Sequence, residues 1–223
     1  MYKLAVFDLD GTILNTLEDL AESVNYCMKK FNMPERTIDE VRRFVGNGIK
    51  KLIERAVPSG TSESLTEEVH EAFNQHYKLH CKDKTKPYDG IEELITALNS
   101  KGVKSAVVSN KADFAVKILC EDFFSGLFID AVGEKESEGV RKKPAPDSVN
   151  KVIENFKKNF DSEITKKDVV YIGDSEVDIQ TAKNADVDCI SVNWGFKDND
   201  FLVKNGASKI VSTPKELEKA ILK

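Results

Sequence analysis

The stretch Leu4–Thr12, which reads LAVFDLDGT, decides the fold predicted for this chain. Its apolar first half predicts a buried strand that ends at Asp8. Two acids, a glycine and a hydroxyl follow this strand at once. From Thr16 to about Lys82 the apolar residues recur at helical spacing, and beyond Pro87 short apolar runs alternate with helical patterns. A long helical segment therefore separates the first strand from the rest of its sheet.

The alternation in the second part of the chain predicts a parallel sheet. Helices at 91–100, 114–120, 147–160 and 179–185 precede strands at 103–108, about 127–132, 169–172 and 188–192, and a last strand at 209–211 precedes a helix at 214–222. Strands separated by helices pair in parallel through crossover connections. We therefore predict an α/β fold, a doubly wound parallel sheet of Rossmann-like type with an inserted small helical cap domain.

The same changes of pattern predict the domain boundaries. The chain divides into a core, residues 1–15 and 84–223, and a helical cap, residues 16–83. Within the cap, Pro34 is predicted to stop the first helix, and Thr37 with Glu40 three residues later forms a capping box for the second. The segment Gly46–Gly48 breaks the chain before a third helix at 49–57, and Ser64 begins a fourth.

The composition is that of an ordinary soluble globular protein: 223 residues, 40% hydrophobic and 32% charged, with a formal net charge of −5. Neither the roughly 20 apolar residues of a membrane span nor the basic stripe of a nucleic-acid binder stands out. The four cysteines are scattered without metal-ligand spacing, which favours free thiols in a reducing compartment. We expect a cytoplasmic monomer or homodimer that binds neither nucleic acid nor membranes.

Side chains capable of chemistry stand where the predicted strands end. Asp8 and Asp10 follow the first strand, and Ser109-Asn110 follows the second. Lys143-Pro144 precedes a later helix, and the acidic segment 174–178 follows another strand. Because ligands of open α/β sheets bind beyond the carboxyl ends of the strands, we expect these groups to converge on one crevice.

Several carboxylates in one crevice suggest a cation and phosphoryl chemistry. Carboxylates repel one another unless a cation joins them, and Mg²⁺ prefers oxygen ligands. A carboxylate is also a nucleophile that can form an aspartyl-phosphate, while a second carboxylate transfers protons. The charge on the transferring phosphoryl oxygens requires hydroxyl, amide and lysine donors.

The motifs of this crevice resemble those of haloacid-dehalogenase-like (HAD) hydrolases. The matching segments, in this order, are Asp8-x-Asp10-Gly-Thr12, Ser109, Lys143-Pro144 and Gly173-Asp174-x-x-x-Asp178. The resemblance covers essentially the whole chain, and the helical insertion resembles the small helical cap of that family. The nearest subgroup is phosphoglycolate phosphatase and its relatives, from which Asn15 departs because an aspartate is commoner at this place.

The resemblance assigns the catalytic roles residue by residue. It implies that Asp8 is the nucleophile and that Asp10 is the general acid and then the general base. Asp8, the backbone carbonyl of Asp10 and Asp174 would bind Mg²⁺. Lys143 would neutralise the aspartyl-phosphate, and Asp178 would support the metal site or Lys143. We select Lys143 for this role because it is the lysine that precedes a proline.

Binding of the phosphoryl group and of the rest of the substrate is assigned to two regions. By the resemblance, the phosphoryl oxygens are held by Thr12, Ser109 and Asn110. In the cap, Gly46, Asn47 and Gly48 form a candidate substrate loop, since glycines let backbone N–H groups approach an anion. The cations that flank this loop and could read a carboxylate are Arg43, Lys50 and Lys51.

These inferences predict a Mg²⁺-dependent phosphatase that acts on a small phosphorylated metabolite, with 2-phosphoglycolate as the leading candidate substrate. Alternatives within the superfamily are a pyrophosphatase, a nucleotide or sugar-phosphate phosphatase and a phosphomutase. A dehalogenase would not need the additional acids Asp10 and Asp174. A non-enzymatic alternative is a switch protein that is phosphorylated on Asp8.

Overall fold

The computed structural model describes residues 1–223 and divides the chain into two compact units. The core unit comprises residues 1–14 and 87–223, and the helical unit comprises residues 15–86. The first boundary lies after residue 14, where the sequence pattern placed it after 15. The second lies after residue 86 rather than 83, because the backbone of Lys84 and Thr85 is hydrogen-bonded within the helical unit.

A six-stranded parallel sheet forms the core unit. The strands of the chain are β1 Leu4–Phe7, β2 Leu14–Asn15, β3 Lys86–Pro87, β4 Lys104–Ala112, β5 Ala131–Glu134, β6 Val169–Gly173, β7 Asp188–Val192 and β8 Ile210–Val211. The order in the sheet is β5-β4-β1-β6-β7-β8, and every neighbouring pair is parallel. All four residues of the central strand β1 are fully buried, as expected for a strand covered on both faces.

Helices connect the strands of this sheet and also form the helical unit. They are α1 Leu17–Lys30, α2 Ile38–Phe44, α3 Ile49–Ala56, α4 Glu63–His80, α5 Ile91–Ser100, α6 Asp113–Phe124, α7 Asp147–Asn159, α8 Glu176–Ala185, α9 Asn199–Lys204 and α10 Pro214–Ile221. The predicted alternation and the α/β fold class are confirmed; the short helix α9 was not predicted. None of the helices is both long and apolar enough to cross a membrane.

Strand β4 is longer than the apolar run that predicted it. It continues to Ala112, although the sequence pattern ended the strand at Val108. Val108 pairs with Val132 and Ala112 with Glu134, so β4 advances four residues while β5 advances two. This irregularity is a bulge, which re-aims side chains that a regular strand would alternate between its two faces. The bulged residues 109–111 are polar yet buried, and for this reason an apolar pattern cannot detect them.

Two smaller differences concern the neighbouring elements. The apolar segment 127–132 was predicted as strand, whereas β5 begins only at Ala131. Ile129 still donates its backbone N–H to Ser105 at 2.9 Å, so the segment runs beside the sheet before it joins the ladder. Helix α1 ends at Lys30 rather than at Pro34, because Asn32 turns the chain with a φ of 54°.

The helical unit contains helices α1 to α4 in chain order. The predicted capping box is confirmed, since Thr37 and Glu40 each accept a hydrogen bond from the backbone of the other residue. Asp19 lies in the acidic first turn of α1, but its side chain is buried. Its carboxylate accepts hydrogen bonds from the backbone N–H groups of Lys84, at 2.9 Å, and Thr85, at 2.8 Å. A buried carboxylate satisfied in this way fixes the returning chain to α1.

Candidate active site

Asp8 stands at the carboxyl end of β1, where the central strand leaves the sheet. Its Oδ1 accepts a hydrogen bond from the backbone N–H of Leu9 at 2.7 Å and lies 2.9 Å from Nζ of Lys143. Both contacts fall on the same oxygen, which leaves Oδ2 as the oxygen that can attack an electrophile. The carboxylate is therefore oriented by its surroundings before any substrate binds.

Lys143 is buried and is fixed at both its backbone and its ammonium group. Its Nζ lies 2.7 Å from Oδ1 of Asp178 and 2.9 Å from the hydroxyl of Tyr171. The side-chain amide of Asn110 binds the Lys143 backbone N–H at 2.8 Å and its carbonyl at 3.0 Å. Together with Asp8, these contacts give the ammonium three oxygen partners, which matches its three donors.

The surrounding acids keep Lys143 charged despite its burial. Burial alone would lower the pKa of this lysine, but the negative charges of Asp178 and Asp8 outweigh it and raise the pKa well above the ordinary value. The hydroxyl of Tyr171 donates in turn to the backbone carbonyl of Val108 at 2.9 Å. Sequence reasoning missed Tyr171 as a site residue, because a tyrosine within an apolar strand is typical of a core position.

Asp178 connects Lys143 to the start of helix α8. Its Oδ2 accepts hydrogen bonds from the backbone N–H and the hydroxyl of Ser175, at 3.1 and 2.6 Å, in a capping box. Its Oδ1 binds Lys143. A Cβ atom on Gly173 would lie 2.2 Å from Cγ of Asp178, so only glycine fits at this strand end. Of the two roles implied for Asp178, these contacts favour support of the lysine.

The carboxylate of Asp174 lies close to those of Asp8 and Asp178. Ligand oxygens of Asp8, Asp174 and Asp178 lie within 4.8 Å of one another, and all three residues are buried. Oδ2 of Asp174 accepts the backbone N–H of Phe196 at 2.6 Å. A Cβ atom on Gly11, which has a φ of +81°, would lie 2.4 Å from the same oxygen. The DxDGT turn can therefore pass this closely over Asp174 only with a glycine.

The electrostatics of the cluster fit a cation. Burial raises the pKa of Asp8 to about 7, and Asp178 and Asp10 add to the shift, whereas Lys143 opposes it. Burial and the charges of Asp178 and Asp8 raise the pKa of Asp174 well above its usual value. Such shifts mark buried negative charge that protein groups do not fully compensate. Three hard oxygen donors in this state suit a divalent cation such as Mg²⁺, for which the motifs predict Asp8 and Asp174 as side-chain ligands.

Replacing Asp174 with asparagine tests this fit without an activity assay. Without metal, we expect Asp174→Asn to raise the Tm of the protein by about 2–4 °C, equivalent to about 1 kcal/mol, because a buried charge is removed while the Phe196 contact is kept. Mg²⁺ should raise the Tm of the wild type and not that of the variant, as differential scanning fluorimetry can show. The exposed control Asp89→Asn should keep the wild-type response. An unchanged Mg²⁺ response in Asp174→Asn would contradict the assignment.

The residues predicted to hold phosphoryl oxygens, which are Ser109, Asn110 and Thr12, differ in how their polar groups are hydrogen-bonded. Ser109 is buried in the β4 bulge, and its Oγ accepts the backbone N–H of Lys111 at 3.3 Å. The Asn110 amide is engaged by the Lys143 backbone, which makes it a support for the lysine in this structure. The hydroxyl of Thr12 is buried and has no hydrogen-bond partner, while its carbonyl accepts the indole N–H of Trp194 at 3.0 Å.

The remaining predicted residues belong to the helical unit. Gly46 and Gly48 have positive φ angles of 122° and 87°, and Gly48 precedes helix α3. Oδ1 of Asn47 accepts a hydrogen bond from Arg55 at 2.8 Å, and the same guanidinium binds the carbonyl of Phe44 at 2.6 Å. The predicted loop is thus a turn held by Arg55, and its role in substrate binding stays a prediction.

One buried cation near the predicted general acid was missed. Nζ of Lys111 lies 2.8 Å from Oδ1 of Asp10. The only signal in the sequence is its position directly after Ser109-Asn110. A lysine at the predicted start of a loop is normally solvated, and therefore the pattern gave no reason to place it in the site.

Comparison with known proteins supports the fold and the resemblance that the motifs carry. Residues 5–192 match the family model of haloacid dehalogenase-like hydrolases. The phosphoglycolate phosphatase of Aquifex aeolicus is 33% identical over 195 residues, covering 87% of this chain and 86% of that protein. That of Haemophilus influenzae is 32% identical over 206 residues, covering 89% and 88%. A crystal structure from Lactobacillus delbrueckii subsp. bulgaricus, provisionally assigned as a phosphoglycolate phosphatase, is 39% identical with a TM-score of 0.90 and covers 99% of this chain and 98% of its own.

The chain therefore belongs to the haloacid dehalogenase-like hydrolase family. Within that family, the same matches place it in the phosphoglycolate phosphatase-like subgroup and identify it as a phosphatase. The resemblance predicted from the motifs is confirmed.

Proposed function

We propose that this protein is a Mg²⁺-dependent phosphomonoester hydrolase that acts on a small phosphorylated metabolite through an aspartyl-phosphate. The observation that carries the proposal is the orientation of Asp8: one oxygen is held by Lys143 and a backbone N–H, and the other is left for attack. Mg²⁺, bound by Asp8 and Asp174, would supply positive charge to the transferring phosphoryl oxygens.

In the first step, Oδ2 of Asp8 attacks the phosphorus atom and the ester P–O bond breaks. Asp10, two residues further along the turn, donates a proton to the leaving oxygen, which departs as an alcohol. Lys143 remains charged beside Asp8 and offsets the negative charge that gathers around the phosphoryl group. The product of this step is an acyl phosphate on Asp8.

In the second step, a water molecule attacks the phosphorus atom of the acyl phosphate. Asp10, now deprotonated, accepts a proton from this water, so the acid of the first step becomes the base of the second. The bond between phosphorus and Asp8 breaks, inorganic phosphate leaves, and the Asp8 carboxylate is regenerated. The contact with Lys143 stabilises this carboxylate as the leaving group.

2-Phosphoglycolate is the leading substrate within this proposal. Its support is that the curated relatives from A. aeolicus and H. influenzae, each aligned over more than four fifths of its length, are phosphoglycolate phosphatases. We also propose that the protein works in the reducing cytoplasm, as a monomer or homodimer. All four of its cysteines are free, and three of them are buried, which suits such a compartment.

The test is phosphate release from a panel of compounds with and without Mg²⁺. The panel contains 2-phosphoglycolate, pyrophosphate, a sugar phosphate, a nucleoside monophosphate and an aryl phosphate. We expect Mg²⁺-dependent release, with the highest kcat/KM for 2-phosphoglycolate. A higher kcat/KM for another compound would replace the substrate but keep the mechanism. Isomerisation of the sugar phosphate without net release would indicate a mutase, and no turnover by folded, Mg²⁺-binding protein would overturn the proposal.

A further inference from the structure

Lys111 is a buried cation that none of the implied roles uses. The residue is 4% exposed, and its ammonium lies 2.8 Å from Oδ1 of Asp10. The Asp10 side chain is itself only 15% exposed. A lysine is rarely buried unless it is paired, so the ion pair accounts for its position. The pair places a fixed positive charge directly beside the carboxylate that exchanges protons with substrate and water.

The β4 bulge explains how Lys111 reaches this position. Because β4 contains two more residues than β5 between their paired positions, consecutive residues of the bulge point to different parts of the site. Asn110 turns to the backbone of Lys143, and the next residue turns to Asp10. A regular strand would send these two neighbours to opposite faces of the sheet.

The segment that carries Lys111 is held by close packing against β5. A Cβ atom on Gly133 would lie 2.7 Å from the Lys111 carbonyl and 2.3 Å from Cα of Asp113. The N–H of Gly133 also donates to Oδ1 of Asp113 at 3.0 Å. The backbone on both sides of Lys111 is therefore fixed, so the ammonium is presented from a rigid base. Rigid support of this kind is what a positioned reacting group requires.

The contact of Lys111 with Asp10 is made to one particular carboxylate oxygen. Lys111 binds one carboxylate oxygen, Oδ1, as a hydrogen-bond donor. A donor on this oxygen is compatible with the acid form as well as with the carboxylate, since a carboxylic acid combines one O–H donor with a second oxygen that still accepts. Occupying one oxygen with a fixed partner sets the direction in which the other points.

We propose that Lys111 is a positioning residue that orients the Asp10 carboxyl group toward the leaving oxygen. The inference rests on the proposed function, in which Asp10 is the general acid. The effect of losing Lys111 should depend on the substrate. An ester whose leaving group departs readily as an anion needs little protonation by Asp10. Loss of Lys111 should therefore slow the hydrolysis of alkyl phosphates and spare that of activated aryl phosphates.

The experiment compares Lys111→Met with the wild type on three substrates at saturating Mg²⁺. These are p-nitrophenyl phosphate, ethyl phosphate, whose alkyl group carries no charge, and 2-phosphoglycolate, whose alkyl group carries a carboxylate. We expect kcat to fall by about 10²-fold on both alkyl esters, the order of loss caused by a misplaced reacting group, and by less than about threefold on the aryl ester. Lys111→Arg should recover part of the lost rate, since it restores a cation. The exposed Lys117→Met is the matched control for removal of a lysine charge and should keep wild-type kcat on all three substrates.

A double-mutant cycle gives a second, independent measurement. If Lys111 acts only through Asp10, Lys111→Met should cause no further loss in an Asp10→Asn background on the alkyl esters. Additive losses would overturn the proposal, and so would an equal loss on all three substrates, which would indicate a merely structural role. A loss confined to 2-phosphoglycolate would also overturn it, because Lys111 would then read the substrate carboxylate. An inactive wild type would instead refute the proposed function, and this inference with it.

Discussion

We expect Asp8→Asn to abolish phosphate release, which is the largest effect predicted for a substitution in this protein. The amide keeps the size of the carboxylate but is not a nucleophile, so kcat should fall by at least about 10⁴-fold on every substrate that the wild type hydrolyses. The loss should include the aryl phosphate, because a good leaving group does not replace the attacking oxygen. Phosphate release in the presence of Mg²⁺ is the measurement.

The fold of Asp8→Asn should be intact, which separates lost chemistry from lost structure. The pKa of Asp8 is raised by burial to about 7, so a neutral side chain is well tolerated at this position. We expect the metal-free variant to melt at or above the wild-type Tm. Wild-type protein that is acid-quenched during turnover should carry one phosphoryl group on the peptide containing Asp8, by mass spectrometry. A variant that keeps more than about a hundredth of the wild-type rate would exclude Asp8 as the nucleophile.

The second large effect is expected for Lys143→Met, on both stability and activity. Removing one partner of a buried ion pair leaves an uncompensated charge, which typically costs about 3–5 kcal/mol. Here the lost ammonium faces both Asp8 and Asp178. Trp194, the one tryptophan of the chain, lies in the core unit, so its fluorescence during urea denaturation reports the free energy of unfolding there. Phosphatase activity should be lost as well.

The stability loss of Lys143→Met should grow with pH in metal-free buffer. A carboxyl group whose folded-state pKa is raised contributes stability at low pH, which is lost between its unfolded pKa, about 4, and its folded pKa. In the wild type this window for Asp8 ends at about 7. Lys143 lowers the pKa of Asp8, so its removal raises that pKa further and extends the window upward. The difference in free energy of unfolding between variant and wild type should therefore be larger at pH 8 than at pH 6.

Lys142→Met is the matched control for this measurement. Lys142 is adjacent in the chain, but it is partly exposed and pairs with Glu136 at 3.0 Å. An exposed ion pair contributes roughly 0–1 kcal/mol, so this variant should stay close to the wild type at both pH values. Equal effects of the two substitutions would mean that Lys143 is not the buried centre of the charge network.

The fold could be predicted from the sequence because each strand and helix has a clear hydrophobic pattern of its own. The fully apolar β1 and the alternation of helices and short apolar runs specify a parallel sheet before any contact is known. Asp8, Lys143 and Asp174 could be found because their motifs stand at the ends of these elements. Their mutual distances required the structure, since sequence position alone does not show that Lys143 bridges Asp8 and Asp178.

Two buried charged residues that the sequence pattern did not single out share one physical cause. Asp19 and Lys111 are charged, and charged side chains are normally solvated, so the pattern gave no reason to bury either of them. Both are buried because a specific partner far along the chain compensates them: the backbone at residues 84–85 for Asp19, and Asp10 for Lys111. Such long-range pairing leaves no periodic trace in the sequence.

The shared carboxylate of Asp178 links the start of helix α8 to the lysine that faces Asp8. One of its oxygens closes the first turn of α8, and the other holds the ammonium that faces the nucleophile. A chain in which this turn is open loses one of the three oxygen partners that hold the Lys143 ammonium beside Asp8. Folding of this helix start and preorganisation of the charged groups around Asp8 are therefore coupled through one side chain.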